Sequence, residues 1–221
     1  MSPLEHTQSE TAVPGDSDKS SARQIAAGKG KVLLLTPDRS DWLKDNASSL
    51  RTFLSEGGAI LAAGLSEKDG KALALASGAE FTVARKTLWI NPLSGPLPTA
   101  FRGVSPAAIH WRRKLEVTTI ATVHDKGWRS DTGILATVPV GSGEIIWIAT
   151  TPDDFNPEER PDLIFTSVNT KRLYTIVLNN LGVHTGAQWS SFLGSRTTPD
   201  DTKFYNDKRI PRDDPYAYMR W

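Results

Sequence analysis

The stretch Gly57-Gly58-Ala59-Ile60-Leu61-Ala62-Ala63-Gly64-Leu65-Ser66 decides how this chain is read. A short, wholly apolar run between glycines has the composition of a strand buried on both faces, as the strands of a parallel sheet are. Gly64 follows it as a turn, and Ser66 opens a helix. In an α/β sheet the turn after such a strand is where a nucleophile stands. The residue after Gly64 is Leu65, whose side chain has no proton to give, no lone pair and no affinity for a metal. The site offered by the scaffold is chemically blank.

Upstream, Lys31-Val32-Leu33-Leu34-Leu35-Thr36-Pro37 is a second apolar run, ended by its proline as a central parallel strand would be. Between Asp45 and Gly57, the residues Ala47, Leu50, Phe53 and Leu54 recur at helical spacing, and Gly57-Gly58 supplies a helix stop. Strand, crossover helix and strand make one right-handed βαβ unit.

Downstream, Ser66-Glu67-Lys68-Asp69 resembles a capping box, and the helix it opens runs through Lys71–Ala76 to Gly78. Residues 80–115 carry strand-like side chains at Phe81, Val83, Leu88, Trp89 and Ile90, but Pro92, Pro96, Pro98 and Pro106 break the region into loops. A strand follows at Val117–Val123. The runs Gly133–Val140 and Glu144–Ala149, joined by Gly141-Ser142-Gly143, read as an antiparallel hairpin. After a loop with Pro152, Pro157 and Pro161, the set Leu173, Ile176, Val177 and Leu181 marks a helix closed by Gly182, with Asn169 or Thr170 as its cap.

These elements predict an α/β domain over residues 31–184, with a doubly wound, mostly parallel sheet carrying one antiparallel hairpin. Residues 1–30 are read as a disordered linker, because Leu4, Val13 and Ile25 are the only sizeable aliphatics in the first 28 and cannot offset the entropy of ordering. Residues 185–221 are read as an extended tail with aromatic islands at Trp189, Phe192, Phe204 and Tyr205 and a last run Tyr216-Ala217-Tyr218-Met219-Arg220-Trp221. Tyr216, Tyr218 and Trp221 are large apolar groups in a stretch too short to fold alone, which makes them interface candidates.

Composition narrows the function classes. A net charge of +1, spread over interspersed acids and bases, provides no field to gather phosphate backbones or anionic lipid, so neither nucleic acid nor membrane is an expected partner. The absence of cysteine removes disulfides, thiolate chemistry and cysteine-ligated metal. No apolar run approaches the roughly 20 residues of a membrane helix, and residues 1–29 lack the apolar core of a signal peptide, so the chain is expected to be soluble with its compartment open. No Gly-x-Gly-x-x-Gly or Gly-Lys-Ser/Thr motif follows a strand, and no cofactor is expected.

Four sets of side chains carry chemistry on paper. Asp153-Asp154 and Glu158-Glu159 flank a proline-rich loop, where paired carboxylates share acid and base roles or hold Ca²⁺, against the plainer reading of a solvated surface. His110, His124 and His184 are the histidines of the domain and its edge, and Ser66 stands one residue beyond the nucleophile position with capping as its plainer role. His110-Trp111-Arg112-Arg113 sets an aromatic plane beside two guanidinium groups, suited to a sugar or a carboxylate, while the plainer reading makes Trp111 a packing anchor. Trp128, beside Lys126-Gly127, is a loop-tip contact on one reading and packing on the other. Trp147 lies in a strand and is read as core or interdomain contact.

With these residues in place, the span 31–183 resembles the class I glutamine amidotransferase-like fold, a flavodoxin-like doubly wound sheet. The resemblance rests on Leu50, Phe53 and Leu54 followed by Gly57-Gly58-Ala59-Ile60-Leu61 and the glycine turn. In active members a cysteine occupies the elbow and a histidine and a glutamate complete the triad. Leu65 matches the cysteine position, so the resemblance implies a degenerate elbow Gly64-Leu65-Ser66 with no catalytic residue. Farther along, Val138–Trp147, the helix end Leu178-Asn179-Asn180-Leu181-Gly182-Val183 and above all Asp213-Asp214-Pro215-Tyr216-Ala217-Tyr218-Met219-Arg220-Trp221 resemble the late, non-catalytic region of large bacterial proteins related to family 2 glycoside hydrolases and beta-galactosidases.

That second resemblance implies an accessory module in carbohydrate metabolism. Its partners would be neighbouring domains or subunits of a glycoside hydrolase-like protein, together with a carbohydrate, and the family is often periplasmic or secreted. The carboxylates of such hydrolases lie on a barrel and none is placed in this sequence. Two readings compete with it: a free-standing hydrolase using Ser66 or the Asp153/Asp154 loop, and a carbohydrate-binding module using Trp111 and Trp128.

Overall fold

The computed structural model describes residues 11–12, 32–124 and 126–183. In chain order its elements are strands β1 (Thr11–Ala12) and β2 (Val32–Leu35), helices α1 (Ser40–Asp45) and α2 (Ala47–Ser55), strand β3 (Ala59–Ala63), helix α3 (Glu67–Ser77), strands β4 (Phe81–Leu88), β5 (Leu115–Val123), β6 (Trp128–Arg129), β7 (Leu135–Val140) and β8 (Gly143–Ile148), and helix α4 (Ile164–Asn180). The main sheet is six-stranded in the order β1-β2-β3-β8-β7-β6, and β4 and β5 form a separate two-stranded sheet. The class is mixed α/β.

The apolar runs at residues 32–35 and 59–63 do become the central parallel strands, with Leu33 opposite Ile60 and Leu35 opposite Ala62. β8 lies parallel on the far side of β3, pairing Ile145 with Ile60 and Trp147 with Ala62. β7 then pairs antiparallel with β8, as the glycine-linked hairpin predicts. Strand alternation sorts the side chains into two faces. Leu33, Leu35, Ile60, Ala62, Ile145 and Trp147 share one, and Leu34, Leu61, Ala63, Ile146 and Ile148 share the other.

The first face is covered by α1, α2 and α3. Gly70 of α3 lies so close to the indole of Trp147 that an added Cβ would stand 3.1 Å from the ring. Arg51 of α2 ties the two longer helices by donating from Nε to the carbonyl of Ala76 at 2.9 Å and from Nη2 to that of Leu75 at 3.0 Å. α4 flanks the second face, where Tyr174 and Leu178 border a groove over Leu34 and Ala63. Trp147 is wholly buried: its indole N–H donates to the carbonyl of Thr118 at 3.3 Å and its ring meets Phe81 at 6.3 Å. It is core.

Several expectations are corrected. The helix expected between Asp45 and Gly57 forms as α2, but the sequence reading did not include α1 before it; the two are separated at Asn46, whose backbone (φ −106°, ψ 14°) leaves the helical region and whose side-chain amide donates to the carbonyl of Trp42. The last helix starts at Ile164, ahead of Asn169 and Thr170, because a short 3-10 turn led by Pro161 feeds straight into it. Thr170 caps nothing; it is buried inside the helix and donates from Oγ1 to the carbonyl of Thr166. Phe81–Leu88, read only as strand-like, pairs with β5 away from the main sheet, with a bulge between Thr82 and Val83.

Within the span read as a linker, Thr11–Ala12 is a strand, paired parallel with β2. The rest of residues 1–30, and everything expected of residues 184–221, lie outside the described residues. The proline-rich segment 89–111 wraps into 3-10 turns at Thr99–Phe101 and Pro106–Ile109, with Phe101, Ile109 and Trp111 buried. Two asparagine amides hold it in place. Asn91 donates to the carbonyl of Ile109, and Asn180 at the end of α4 donates to those of Ala100 and Arg102.

The glycines before β3 and at the start of β8 permit a backbone crossing. A Cβ on Gly143 would fall 2.3 Å from the carbonyl oxygen of Gly58 and 2.6 Å from that of Leu54, both main-chain atoms with nowhere to go. Gly143→Ala is therefore expected to destabilise the domain by about 2 kcal/mol or more in urea unfolding, well beyond the effect of an ordinary surface substitution. The adjacent Glu144 is half-buried, and burial pushes its carboxyl above the ordinary glutamate value of 4.5. An acid raised on folding opposes stability while it is charged in both states and ceases to do so once it is neutral in both. Glu144→Gln is thus expected to raise the melting temperature at pH 7, with the gain shrinking as pH falls through the folded pKa and vanishing below the unfolded one; a gain constant down to pH 3 contradicts this.

Candidate functional site

Three strand ends meet at the carboxyl edge of the parallel sheet: β2 runs into Thr36-Pro37, β3 into Gly64-Leu65-Ser66 and β8 into Ala149-Thr150-Thr151. Such an edge is where open α/β sheets bind ligands. A pocket of about 400 Å³ lies there, bordered by the elbow residues, by Glu67 and Lys68 of α3, by Asp154, and on its outer side by Arg85 and Glu116 of the β4–β5 ribbon. Arg85 Nε and Glu116 Oε1 are 3.0 Å apart across the ribbon, with both side chains more than half exposed. This pair is screened by water and contributes little to stability.

The elbow is built by local chemistry. Gly64 turns at φ 60° and its N–H donates to the carbonyl of Ile148 at 2.8 Å, which joins the end of β3 to the end of β8. Leu65 points inward and is 2% exposed, one more core side chain. Ser66 is the N-cap of α3: its Oγ accepts the N–H of Asp69 at 3.1 Å and donates to Asp69 Oδ2 at 2.6 Å. The acid departs from the expected box. Its carboxylate turns to the neighbouring loop, where Oδ2 accepts the N–H of Asp38 at 3.1 Å and Oδ1 that of Arg39 at 3.0 Å. Asp69 is 1% exposed, and Asp38 holds a left-handed backbone (φ 63°) that presents the two amides to it.

The loop acids divide. Asp154 accepts from the N–H of Thr151 at 2.7 Å and from its hydroxyl at 3.2 Å, closing the capping box of the 3-10 turn Pro152–Phe155. Asp153, Glu158 and Glu159 are exposed, and Glu159 accepts from the side-chain amide of Asn156 at 3.4 Å. Among the described residues, no group of three or more His, Asp or Glu side chains is placed to hold a metal ion.

The aromatic candidates are corrected by burial. Trp111 is 2% exposed and packs on Phe155 at 5.7 Å between ring centres, so it offers no face to a sugar. Trp128 is half-buried against Phe101 at 5.6 Å. Burial leaves Trp111 no open face, and Trp128 keeps only part of one. His110 and Arg112 are exposed, and the Arg112 guanidinium lies 5.4 Å from the ring centre of Phe165, a cation–π contact within the domain. His124 is exposed at the end of β5, 3.8 Å from Glu80, and His184 lies outside the described residues, as do Tyr216, Tyr218 and Trp221. Sequence reasoning passed over Trp89, which is 49% exposed beside Ile90 at 51%. The signal was present in Trp89-Ile90-Asn91-Pro92, an apolar pair carried past a strand end into a proline loop.

Comparison with protein-family models and with curated proteins returns no match. The chemistry of the elbow itself is thus the ground for a functional reading.

Two substitutions separate the parts of this network. Asp69→Ala leaves two backbone amides without their buried acceptor and is expected to cost about 2–4 kcal/mol in urea unfolding. Ser66→Ala removes only an exposed cap, for about 1 kcal/mol. Equal costs for the two would show that Asp69 acts through Ser66 alone.

Proposed function

We propose that this chain is a non-catalytic, amidotransferase-like accessory module that works through contacts with neighbouring domains or subunits of a glycoside hydrolase-like protein. The observation that carries the reading is the use of the elbow. Leu65 fills the position of a nucleophile and is buried, while Ser66 and Asp69 spend their hydrogen bonds on the cap of α3 and on the loop after β2. A serine that attacks a carbonyl needs a base free to accept its proton; the partner of Ser66 is a carboxylate already committed to two amides.

The flavodoxin-like version of the fold belongs to the same proposal. It is supported by the parallel core β2-β3-β8 with helices flanking both faces. The order β1-β2-β3-β8 runs one way, however, and lacks among the described strands the reversal that marks a switch point. The link to glycoside hydrolases rests on the sequence resemblance, and the carbohydrate contact within it is reassigned from Trp111 and Trp128 to the exposed Trp89.

Incubation with glutamine is expected to release no ammonia above buffer. Turnover that survives purification to homogeneity and is lost in Leu65→Arg overturns the non-catalytic reading. The interface role of Tyr216, Tyr218 and Trp221 is tested by sedimentation with and without residues 211–221. Self-association of the full chain that disappears on truncation is the expected result, and a strictly monomeric chain whose stability falls on truncation overturns it.

A further inference from the structure

Among the described residues, the large apolar side chains left exposed are Leu75 on α3 and the consecutive pair Trp89 and Ile90, at 49% and 51%. The pair does not sit on a loose end. Leu88 closes the β4–β5 ladder opposite Leu115, and the Trp89 carbonyl accepts the N–H of Trp111 at 3.0 Å. Just beyond Ile90, the buried Asn91 donates to the carbonyl of Ile109 at 2.8 Å. Trp89 and Ile90 are therefore held from both sides while each remains half in water, an arrangement that lowers the entropic cost of binding.

The same register fixes what lies opposite. The single step from Leu88 to Trp89 is matched on the other strand by the stretch from Leu115 back to Trp111, so Arg112, Arg113 and Lys114 are looped out of the ladder beside the exposed pair. Arg112 lies over the ring of Phe165. Arg113 and Lys114 enter none of the ion pairs among the described residues. The acids near this turn are engaged elsewhere: Glu116 pairs with Arg85 at 3.0 Å, and Asp162, which feels the charge of Arg112, pairs with Arg160 at 2.8 Å. The aromatic plane beside cations that His110-Trp111-Arg112-Arg113 offers on paper thus exists in the fold, with the buried Trp111 replaced by Trp89.

An exposed indole beside an unpaired guanidinium and an unpaired ammonium group matches a ligand that carries both an apolar face and an anionic group. The open parts of Trp89 and Ile90 together amount to on the order of 200 Å². That is far below the roughly 800 Å² per partner of a stable protein interface, and it suits the face of a sugar ring. We propose that this ribbon end binds an acidic carbohydrate. The C–H face of a uronic-acid ring rests on Trp89 with Ile90 at its edge, and the ring's carboxylate accepts hydrogen bonds from Arg113 and Lys114. The inference rests on the carbohydrate contact already proposed for Trp89 and names the class of sugar; it is independent of the elbow.

The anisotropy of a fluorescently labelled oligogalacturonate, titrated with the full chain at low salt, tests it. Binding is expected, weakened roughly tenfold or more in Trp89→Ala and in the double variant Arg113→Gln with Lys114→Gln, and largely kept in Trp89→Phe. Thermal melts followed by circular dichroism confirm that each variant folds, and if the double variant does not, Lys114→Gln alone replaces it.

Two competitors assign the contact. Polyglutamate of equal charge that displaces the probe as well as unlabelled oligogalacturonate does shows an attraction to any polyanion and overturns the proposal. A neutral galacto-oligosaccharide that displaces it equally well keeps the carbohydrate contact and overturns its acidic class. No binding of either sugar, or binding indifferent to Trp89→Ala, overturns both the proposal and the carbohydrate contact, while the contacts with neighbouring domains stand or fall by sedimentation.

Discussion

The carboxylate of Asp69 is the contact on which the carboxyl edge of the parallel sheet depends. It sits buried at the first turn of α3 and accepts hydrogen bonds from the hydroxyl of Ser66 and from the amides of Asp38 and Arg39. Those amides belong to the loop leaving β2, so one side chain fixes the ends of two neighbouring parallel strands relative to each other. A charged carboxylate tolerates burial only when such donors replace water. The left-handed backbone at Asp38 is the local cost of aiming both amides at one group.

That arrangement also explains why the elbow is blank in more than name. In a sheet of this kind the amides after the strands and at the helix start are the groups that would meet a ligand. Here the loop amides are satisfied from within by Asp69, and on the β8 side Asp154 satisfies Thr151 in the same manner. The polar groups of the edge face one another, and Leu65 closes the space beneath them. What remains open to solvent is a shallow pocket walled by an exposed ion pair.

Much of this was legible in the sequence where one physical signal dominated. The two apolar runs at Val32 and Ala59, the cap at Ser66 and the glycine-linked hairpin each read correctly, because burial, capping and turn chemistry are local and act in the same direction. The start of α4 was misplaced because Asn169 and Thr170 are good caps by type, while the true start is set by Pro161 and a 3-10 turn with no side-chain cap at all. The ribbon β4–β5 was blurred for another reason: its pairing partners are some 30 to 40 positions apart, and no short-range pattern reports a pairing of that separation. Trp111 carried both a packing and a ligand reading and its burial fits the packing one, while the exposure of Trp89 was not legible, since residue type alone does not say which indole faces water.

The buried tryptophans and the proline-rich segment make a final point about where the fold is closed. Trp111 and Phe155 join the 89–111 segment to the turn after β8, and Asn180 clamps the same segment to the end of α4. These contacts bring the proline loops, the β8 exit and the last helix into one layer. Because α4 is held from outside by that layer, and by Tyr174 donating to the carbonyl of Thr150 at 2.6 Å, it covers β3 and β8 more fully than β2. Leu34 is left partly bare beside the helix end. The incomplete cover over β2 is thus a consequence of how the far side of the sheet is anchored, and it falls beside the point where the chain leaves α4.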